Sequence, residues 1–294
     1  MEKLGKHMSV LLTPEHVWLI QTPTDADGAC VVAKAERNVL FLPDTYTLQA
    51  IHKNMIAFEC EIPLLTRVFK SAFSNDLRTL DVRLVQRTLP EGPGPRPFLS
   101  FRATGSDVQL VQDLPISGPL RADAVDTLHQ LSDEPALDWY VDLHPHEATL
   151  QGIVDRLKGI SGSVALSVSR TGDLHLRVHE SGLEFGAELQ GLPVLPQAAA
   201  VDPRSVSAEA PAQRLHAARG AGLVVDAVLQ SKMLARALAA VQITQPAQLM
   251  LGVPPDGGCL HMMPVYRNPM YASGMDDSLF MLLQLPVSQD DAYH

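Results

Sequence analysis

The stretch DWYVDLHPHEATLQGIVDRLKGISGSVALSVSRTGDLHLRVHESGLEFGAELQGL, residues 138–192, decides the fold. Residues 138–143 alternate, with Trp139, Val141 and Leu143 on one side. Val164, Leu166 and Val168 alternate again, then Leu174, Leu176 and Val178, then Leu183, Phe185, Ala187 and Leu189. Strict alternation marks antiparallel strands with one buried face. Between the first two strands, Leu150, Ile153, Val154, Leu157 and Ile160 recur at helical spacing. A helix therefore lays one apolar stripe on the sheet it interrupts. Gly172 and Gly182 fall where hairpin turns need positive φ. The stretch is a β-α-β-β-β module.

The same order recurs on either side of it. Residues 54–61 alternate through Ile56, Phe58 and Cys60, and a helix over 62–75 carries Leu64, Leu65, Val68, Phe69, Ala72 and Phe73 as its stripe. Strands follow at 80–87, 98–103 and 108–114. Toward the end of the chain, a strand at 223–229 precedes a helix over 231–243 with Leu234, Ala237, Leu238 and Val241 inward. Strands at 248–253, 259–266 and 279–285 complete that pass. A fragmentary pass opens the chain: a helical tail at 1–6, strands at 7–12, 16–21 and 30–36, and an extended piece at 39–49 broken by Pro43. Four modules pair two and two, which predicts an α+β protein of two duplicated domains, 1–111 and 138–294. The polar segment 112–137 is the linker. Residues 193–222, rich in Ala, Pro, Ser and Gln, read as a disordered insertion in the second domain.

Composition sets the outer limits. With 46% hydrophobic residues among 294, the chain can bury a core in each of two domains. The net charge of −10 argues against a protein that coats nucleic acid indiscriminately, while leaving room for a local basic surface. Cys30, Cys60 and Cys259 form no CxxC and no even framework, so neither disulfides nor structural zinc are expected. The absence of an apolar run of about 20 residues leaves no membrane-span candidate, and the expectation is a soluble intracellular protein.

Catalytic constellations are missing. The chain has no GxxxxGK[ST], no GxGxxG after a strand, no GxSxG and no HExxH. His144, His146 and Glu147 form the most suggestive cluster, but they stand at a strand-to-helix turn where polar residues and a first-turn Glu are expected anyway. Asp138 and Asp142 read as solvated carboxylates. The reading is of a protein that is not an enzyme and carries neither metal nor cofactor.

Four stretches carry a resemblance: VDRLKGISG at 154–162, TGDLHLRVHE at 171–180, VDAVLQSKMLARALAAVQI at 225–243 and SLFMLLQLP at 278–286. Together with the element order, they make the chain resemble the Hus-one subunit of the DNA-damage checkpoint sliding clamp, a relative of the replication clamp PCNA. The resemblance implies a PCNA-like DNA clamp, with antiparallel sheets outside and helices lining the inner face. It implies a non-catalytic, nuclear subunit that joins two related subunits, of Rad-nine and Rad-one type, in a heterotrimer around duplex DNA. A clamp loader and checkpoint or repair factors are the further partners implied. It also implies a strand and most of a helix ahead of the point matched by Met1. A homotrimeric PCNA-like replication processivity clamp is the alternative within the fold. From another class, the alternative is a metal-dependent hydrolase working at the His144 and His146 turn.

The helices can be read for such a role without the resemblance. Opposite the apolar stripe, residues 62–75 carry Arg67 and Lys70, and 231–243 carry Lys232 and Arg236. The helix before 160 carries Arg156 and Lys158, diluted by Asp155 and Glu147, and the first fragment offers Lys3 and Lys6. Each face alone is an ordinary solvated surface; four of one polarity in an acidic chain point to a DNA-facing lining. The resemblance further implies that rings close through strands 107–113 and 183–189. That assigns Val108, Leu110, Val111, Leu183, Phe185, Gly186, Ala187 and Leu189 to the subunit interface.

Overall fold

The computed structural model describes residues 4–23, 28–74, 79–88, 94–105, 109–131, 137–203, 210–254, 257–267, 274 and 276–288. The chain divides into two compact units, Met1–Gln21 with Val32–Asp133, and Thr22–Val31 with Glu134–His294. The first unit begins with β1 (His7–Leu12), β2 (His16–Gln21) and β3 (Cys30–Glu36), the last of which joins it from Val32 onward. A single helical turn, α1 (Arg37–Leu40), leads to β4 (Ile56–Glu61), and α2 (Ile62–Ser74) follows without a break. Pro63 sits in the first turn of α2, where its missing N–H costs little. Then come β5 (Thr79–Thr88), β6 (Pro95–Thr104), β7 (Gln109–Pro115) and α3 (Ala122–Gln130). The strands form two antiparallel layers, β3-β2-β1-β4 and β5-β6-β7. Met8, Val10, Phe58, Ile62, Val68 and Phe101 meet in the core.

The first unit departs from expectation in three places. Residues 39–49 form no strand; α1 ends at Leu40 and a turn takes 43–45, with Asp44 at φ 60°. The segment read as linker from 112 is structured through 131. Ser117 N–H donates to Glu59 O at 2.9 Å and Leu120 N–H to Ala57 O at 2.8 Å, which ties the chain along β4. After it, α3 buries Val125 and Leu128, three positions apart on an otherwise polar helix. The third departure is on α2, where Phe69 is part-exposed and Phe73 is 80% exposed although both belong to the expected stripe. In this unit α2 packs on β4 and β7.

The second unit carries β8 (Tyr140–Asp142), a 3-10 turn at His144–His146, α4 (Glu147–Leu157), β9 (Ser163–Ser169), β10 (Leu174–Glu180) and β11 (Leu183–Leu189). It continues with β12 (Val194–Leu195), a 3-10 turn at Gln197–Ala199, α5 (Pro211–Gly220), β13 (Val224–Gln230) and α6 (Ser231–Gln242). The strands β14 (Gln248–Gly252), β15 (Cys259–Val265) and β16 (Leu279–Pro286) end it. Its sheets run β12-β8-β14-β15-β16 and β11-β10-β9-β13. Here α4 and α6 pack on each other, burying Leu150, Val154 and Leu157 from one and Leu234, Leu238 and Val241 from the other. Ile160 lies beyond the end of α4 and is exposed, so it leaves the stripe. Ser181 (φ 52°) and Gly182 (φ 78°) make the tight turn that sets Glu180 opposite Leu183.

Where a disordered insertion is expected over 193–222, the described parts hold β12, the 3-10 turn and α5, while residues 204–209 lie outside the described residues. Although α5 is polar in composition, Leu215 and Ala218 are buried beneath it, against β9 and β13. Its presence also explains β9, where Ser167 and Ser169 are as buried as Val164, Leu166 and Val168. The outer face of that strand is covered, so the expected single buried face becomes two. Asp142 is buried rather than solvated. Its Oδ1 accepts the backbone N–H of Leu249 at 3.1 Å and of His144 at 3.0 Å, which pins β8 to β14 and to the turn.

Candidate functional site

In the first unit, α2 turns its buried residues, Ile62, Val68 and Ala72, inward and leaves Arg67 and Lys70 exposed. In the second, α6 does the same with Lys232 and Arg236. Both helices directly continue a strand, β4 in one case and β13 in the other. Counted from those junctions, Arg67 and Arg236 each occupy the sixth helical position. Val68 and Ala237, buried next to them, occupy the seventh. A common strand-to-helix junction with a fixed offset to the buried stripe places these two guanidinium groups alike on their own helices.

The other cations of the expected lining differ in freedom. Arg156 and Lys158, at the end of α4, are exposed. Lys158 is paired with Asp155, whose carboxyl is held below its usual range by hydrogen bonds from Lys158 and Gln151. Its charge is therefore partly neutralised by its own helix. Lys6 is exposed just before β1, and Lys3 lies outside the described residues.

The strands expected at a subunit interface are both sheet edges. Among the described residues, β7 pairs with β6 alone and β11 with β10 alone. Val108 lies outside the described residues. On β7, Leu110 and Gln112 are half-buried, Gln112 donating to Ser71 Oγ on α2 at 3.0 Å, while Val111 points outward and is exposed. On β11 the apolar set does not form one buried row: Leu189 is buried and Ala187 half-buried, but Phe185 is 41% and Leu183 61% exposed. Gly186 is exposed between them, opposite Arg177 on β10. An edge with exposed apolar side chains and unpaired backbone groups is a template for pairing with another chain.

The His144 and His146 turn resolves into an ordinary helix start. His144 Nδ1 stands 3.8 Å from Glu147 Oε2, an i,i+3 pair in the first turn of α4. A denser ionisable cluster, absent from the sequence reading, lies elsewhere in the second unit. Asp173, His175 and Glu188 bring their donor atoms within 4.8 Å of one another. His175 and Glu188 are direct cross-strand partners on β10 and β11, with Nε2 3.5 Å from Oε1. From α5, Arg214 Nε donates to Glu188 Oε1 at 3.1 Å and its Nη2 donates to Oε2. One turn on, Arg219 Nε donates to Asp226 Oδ2 at 3.0 Å and its Nη2 donates to Ser167 Oγ at 3.1 Å. Two arginines thus fasten α5 to three strands. Burial pushes the His175 imidazole below its ordinary value and the Asp173 carboxyl above its own. For Glu188, burial works upward but is outweighed by hydrogen bonds from Arg214 and Gln190, so its carboxyl titrates low.

Comparison with known proteins bears on the whole chain. The model of the family described as Hus1-like protein matches residues 1–266. A protein described as checkpoint protein hus1 homolog, from Dictyostelium discoideum, is 26% identical over 185 residues, which cover 62% of this chain and 64% of that protein's length. Among solved structures, the proliferating cellular nuclear antigen of Entamoeba histolytica superposes with a TM-score of 0.57 at 10% identity, covering 98% of this chain and 91% of that one. PCNA from Thermococcus kodakaraensis gives 0.54 at 15% identity over 98% and 92% of the two chains. The PCNA2-PCNA3 complex of Sulfolobus tokodaii gives 0.55 at 10% over 98% and 93%. These likenesses show the fold, and the α+β architecture of antiparallel sheets and helices is that of a PCNA-like clamp. With a family match over nine-tenths of its residues, the chain belongs to the Hus1-like protein family.

Proposed function

We propose that this chain is a non-catalytic subunit of a heterotrimeric checkpoint clamp that encircles duplex DNA at damage sites in the nucleus. Family membership and the checkpoint role named for the Dictyostelium relative support the reading. The helices α2, α4 and α6 face the DNA, using Arg67, Lys70, Arg156, Lys158, Lys232 and Arg236, with Lys3 and Lys6 beside them. The edges β7 and β11 close the ring against two related subunits of Rad-nine and Rad-one type, through Val108, Leu110 and Val111 on one side and Leu183, Phe185, Gly186, Ala187 and Leu189 on the other. A clamp loader opens the ring, and checkpoint or repair factors dock on it. The observation that carries the DNA role is the matched placement of Arg67 and Arg236 in the two units of a chain whose net charge is −10. Cations in such positions suit contact with phosphates, which needs no base-reading pattern.

The test reverses Arg67, Lys70, Lys232 and Arg236 to Glu together. All four are exposed, so the variant keeps its fold by circular dichroism. Loaded with its partner subunits on duplex DNA, it dissociates faster. The slope of log affinity against log salt falls by about 0.9 for each phosphate that the variant no longer neutralises. Unchanged retention and slope would reduce these faces to solvated surface.

A further inference from the structure

The cluster beneath α5 has a charge inventory that the clamp reading leaves unused. The side chains of His175 and Glu188 are 6% and 8% exposed, and Asp173 is half-buried beside them. Two carboxylates meet one guanidinium. Arg214 takes Glu188, while among the described residues the Asp173 carboxylate accepts from the Thr171 hydroxyl, at 2.9 Å, and has no ion pair. His175 turns its Nε2 toward Glu188 Oε1, 3.5 Å away across the β10–β11 ladder. A carboxylate with no ion pair among the described residues is therefore left half-buried, with its oxygen within 4.8 Å of an imidazole nitrogen and of the Glu188 carboxylate.

We propose that Asp173, His175 and Glu188 form a site for one borderline divalent cation, zinc by its donor set. The geometry is close to that needed. Zinc binds imidazole nitrogen and carboxylate oxygen at about 2.0–2.2 Å, so two ligands of a tetrahedron lie about 3.4 Å apart. His175 Nε2 and Glu188 Oε1 are 3.5 Å apart, held there by strand register rather than by side-chain chance. Asp173 lies two residues before His175, at the mouth of the same hairpin, and turns its carboxylate to the same side. One imidazole and two carboxylates leave a fourth position to water or to an added ligand, the pattern of an open site. Thr171, hydrogen-bonded to Asp173, orients that carboxylate as an outer partner. Arg214 competes for Glu188, which makes the α5 contact and the cation antagonists on one carboxylate. The site shares β11 with the proposed ring-closing edge, so it is tested on the isolated chain, where failure of ring closure would leave zinc binding unaffected.

The experiment strips the full-length chain with a chelator and titrates it with zinc chloride by calorimetry, with magnesium chloride as a second arm. One zinc per chain is expected, with magnesium much weaker because it prefers octahedral oxygen sites. Asp173→Asn and His175→Gln each lower zinc affinity by at least about 10- to 100-fold, the range known for loss of outer partners and so a floor for a ligand. Arg214→Gln, on the half-open side of the cluster, raises affinity by removing the competing cation. Because Arg214 also fastens α5, the fallback if a ligand variant fails to fold is Thr171→Val, which removes only the hydroxyl that orients Asp173 and should still lower zinc affinity. Cobalt in place of zinc gives visible d–d absorption that changes in Arg214→Gln. No saturable zinc binding overturns the proposal. So does binding unchanged in Asp173→Asn and Arg214→Gln, which would place the zinc on other histidines. Equal affinity for magnesium would also overturn it, as a mere acidic surface.

Discussion

His175 faces Glu188 across one rung of the β10–β11 ladder, and this pair shows how burial and charge oppose each other at single residues. Burial lowers the imidazole's affinity for protons in the fold below the ordinary 6.5. As pH falls below that value, the unfolded chain takes up a proton that the folded one refuses, so folding stability declines through that window. In metal-free protein, His175→Gln should flatten the fall in urea midpoint on acidification from pH 7 toward 5; an unaltered slope would assign it to other groups. Asp173 behaves in the opposite sense. Its carboxyl is raised chiefly by burial, so its charge costs stability at neutral pH, and the cost disappears as pH drops through the folded value. Asp173→Asn should then raise the melting midpoint of metal-free protein at pH 7 and lose that advantage in acid. Glu188 and Asp226 titrate low, each because hydrogen bonds from an arginine of α5, aided by a neighbouring side chain, outweigh burial. Their contribution is present above the ordinary carboxylate range and lost as pH falls through their folded values. The fastening of α5 is an acid-labile one.

At the scale of elements, α5 is where stability expectations diverge most. Read as disorder, residues 193–222 could be shortened without cost; with Leu215 4% exposed and α5 packed on β9 and β13, the part that forms α5 cannot. Leu215→Ala should destabilise by about 2–3 kcal/mol, the lower part of the range for a buried leucine, read from urea unfolding at constant slope. A change below about 0.5 kcal/mol would mean that α5 does not pack in solution. The two strand-helix junctions give a paired prediction. Leu238, fully buried on α6 where it packs on α4, should cost about 2–5 kcal/mol as alanine. Phe73, on the matching helix of the first unit, is 80% exposed, and Phe73→Ser should stay within about 0.5 kcal/mol. Most strands and the three amphipathic helices were legible in periodicity, because burial on one side writes itself into every second or every third and fourth residue. What was not legible had a cause in each case. Ser167 and Ser169 look solvent-facing until α5 covers them. The brevity of its apolar face, essentially Leu215 and Ala218, hid α5 itself. The cluster of Asp173, His175 and Glu188 was within reach. Counting outward from the Ser181–Gly182 turn pairs Glu180 with Leu183 and hence His175 with Glu188. The expected lining was legible as side-chain type and face, but Lys158's partner Asp155 shows that periodicity does not count free charge.

For the whole molecule, the question is what covers β7 and β11, two of the sheet-edge strands among the described residues. The edge β7 exposes Val111, and β11 exposes Leu183 and Phe185, so both combine free backbone groups with apolar side chains. Few charged side chains guard β11: Glu184 reaches back to Arg177 at 3.6 Å, and Glu188 is buried under Arg214. Such an edge aggregates or finds a partner strand, and pairing satisfies its N–H and C=O groups while covering the apolar ones. Proline at Gly186 removes one N–H from any ladder added there, and proline at Val111 tests the other edge in the same way. Room at Gly186 is adequate, since an added Cβ would meet Leu176 O at 3.5 Å, an ordinary contact. Gly186→Pro should therefore keep most of the circular dichroism of the isolated chain while reducing co-purification with the partner subunits by at least tenfold. Leu183→Asp with Phe185→Asp should do the same through desolvation of charge rather than loss of a donor, and should also make the lone subunit less prone to aggregate. The control is Gly186→Ala, which adds a Cβ in ordinary contact but keeps the N–H. If Gly186→Pro unfolds the lone chain, that N–H serves the β10 ladder instead and the aspartate pair decides. If both variants fold and assemble with normal affinity, ring closure through β11 is wrong and the contact lies on another edge.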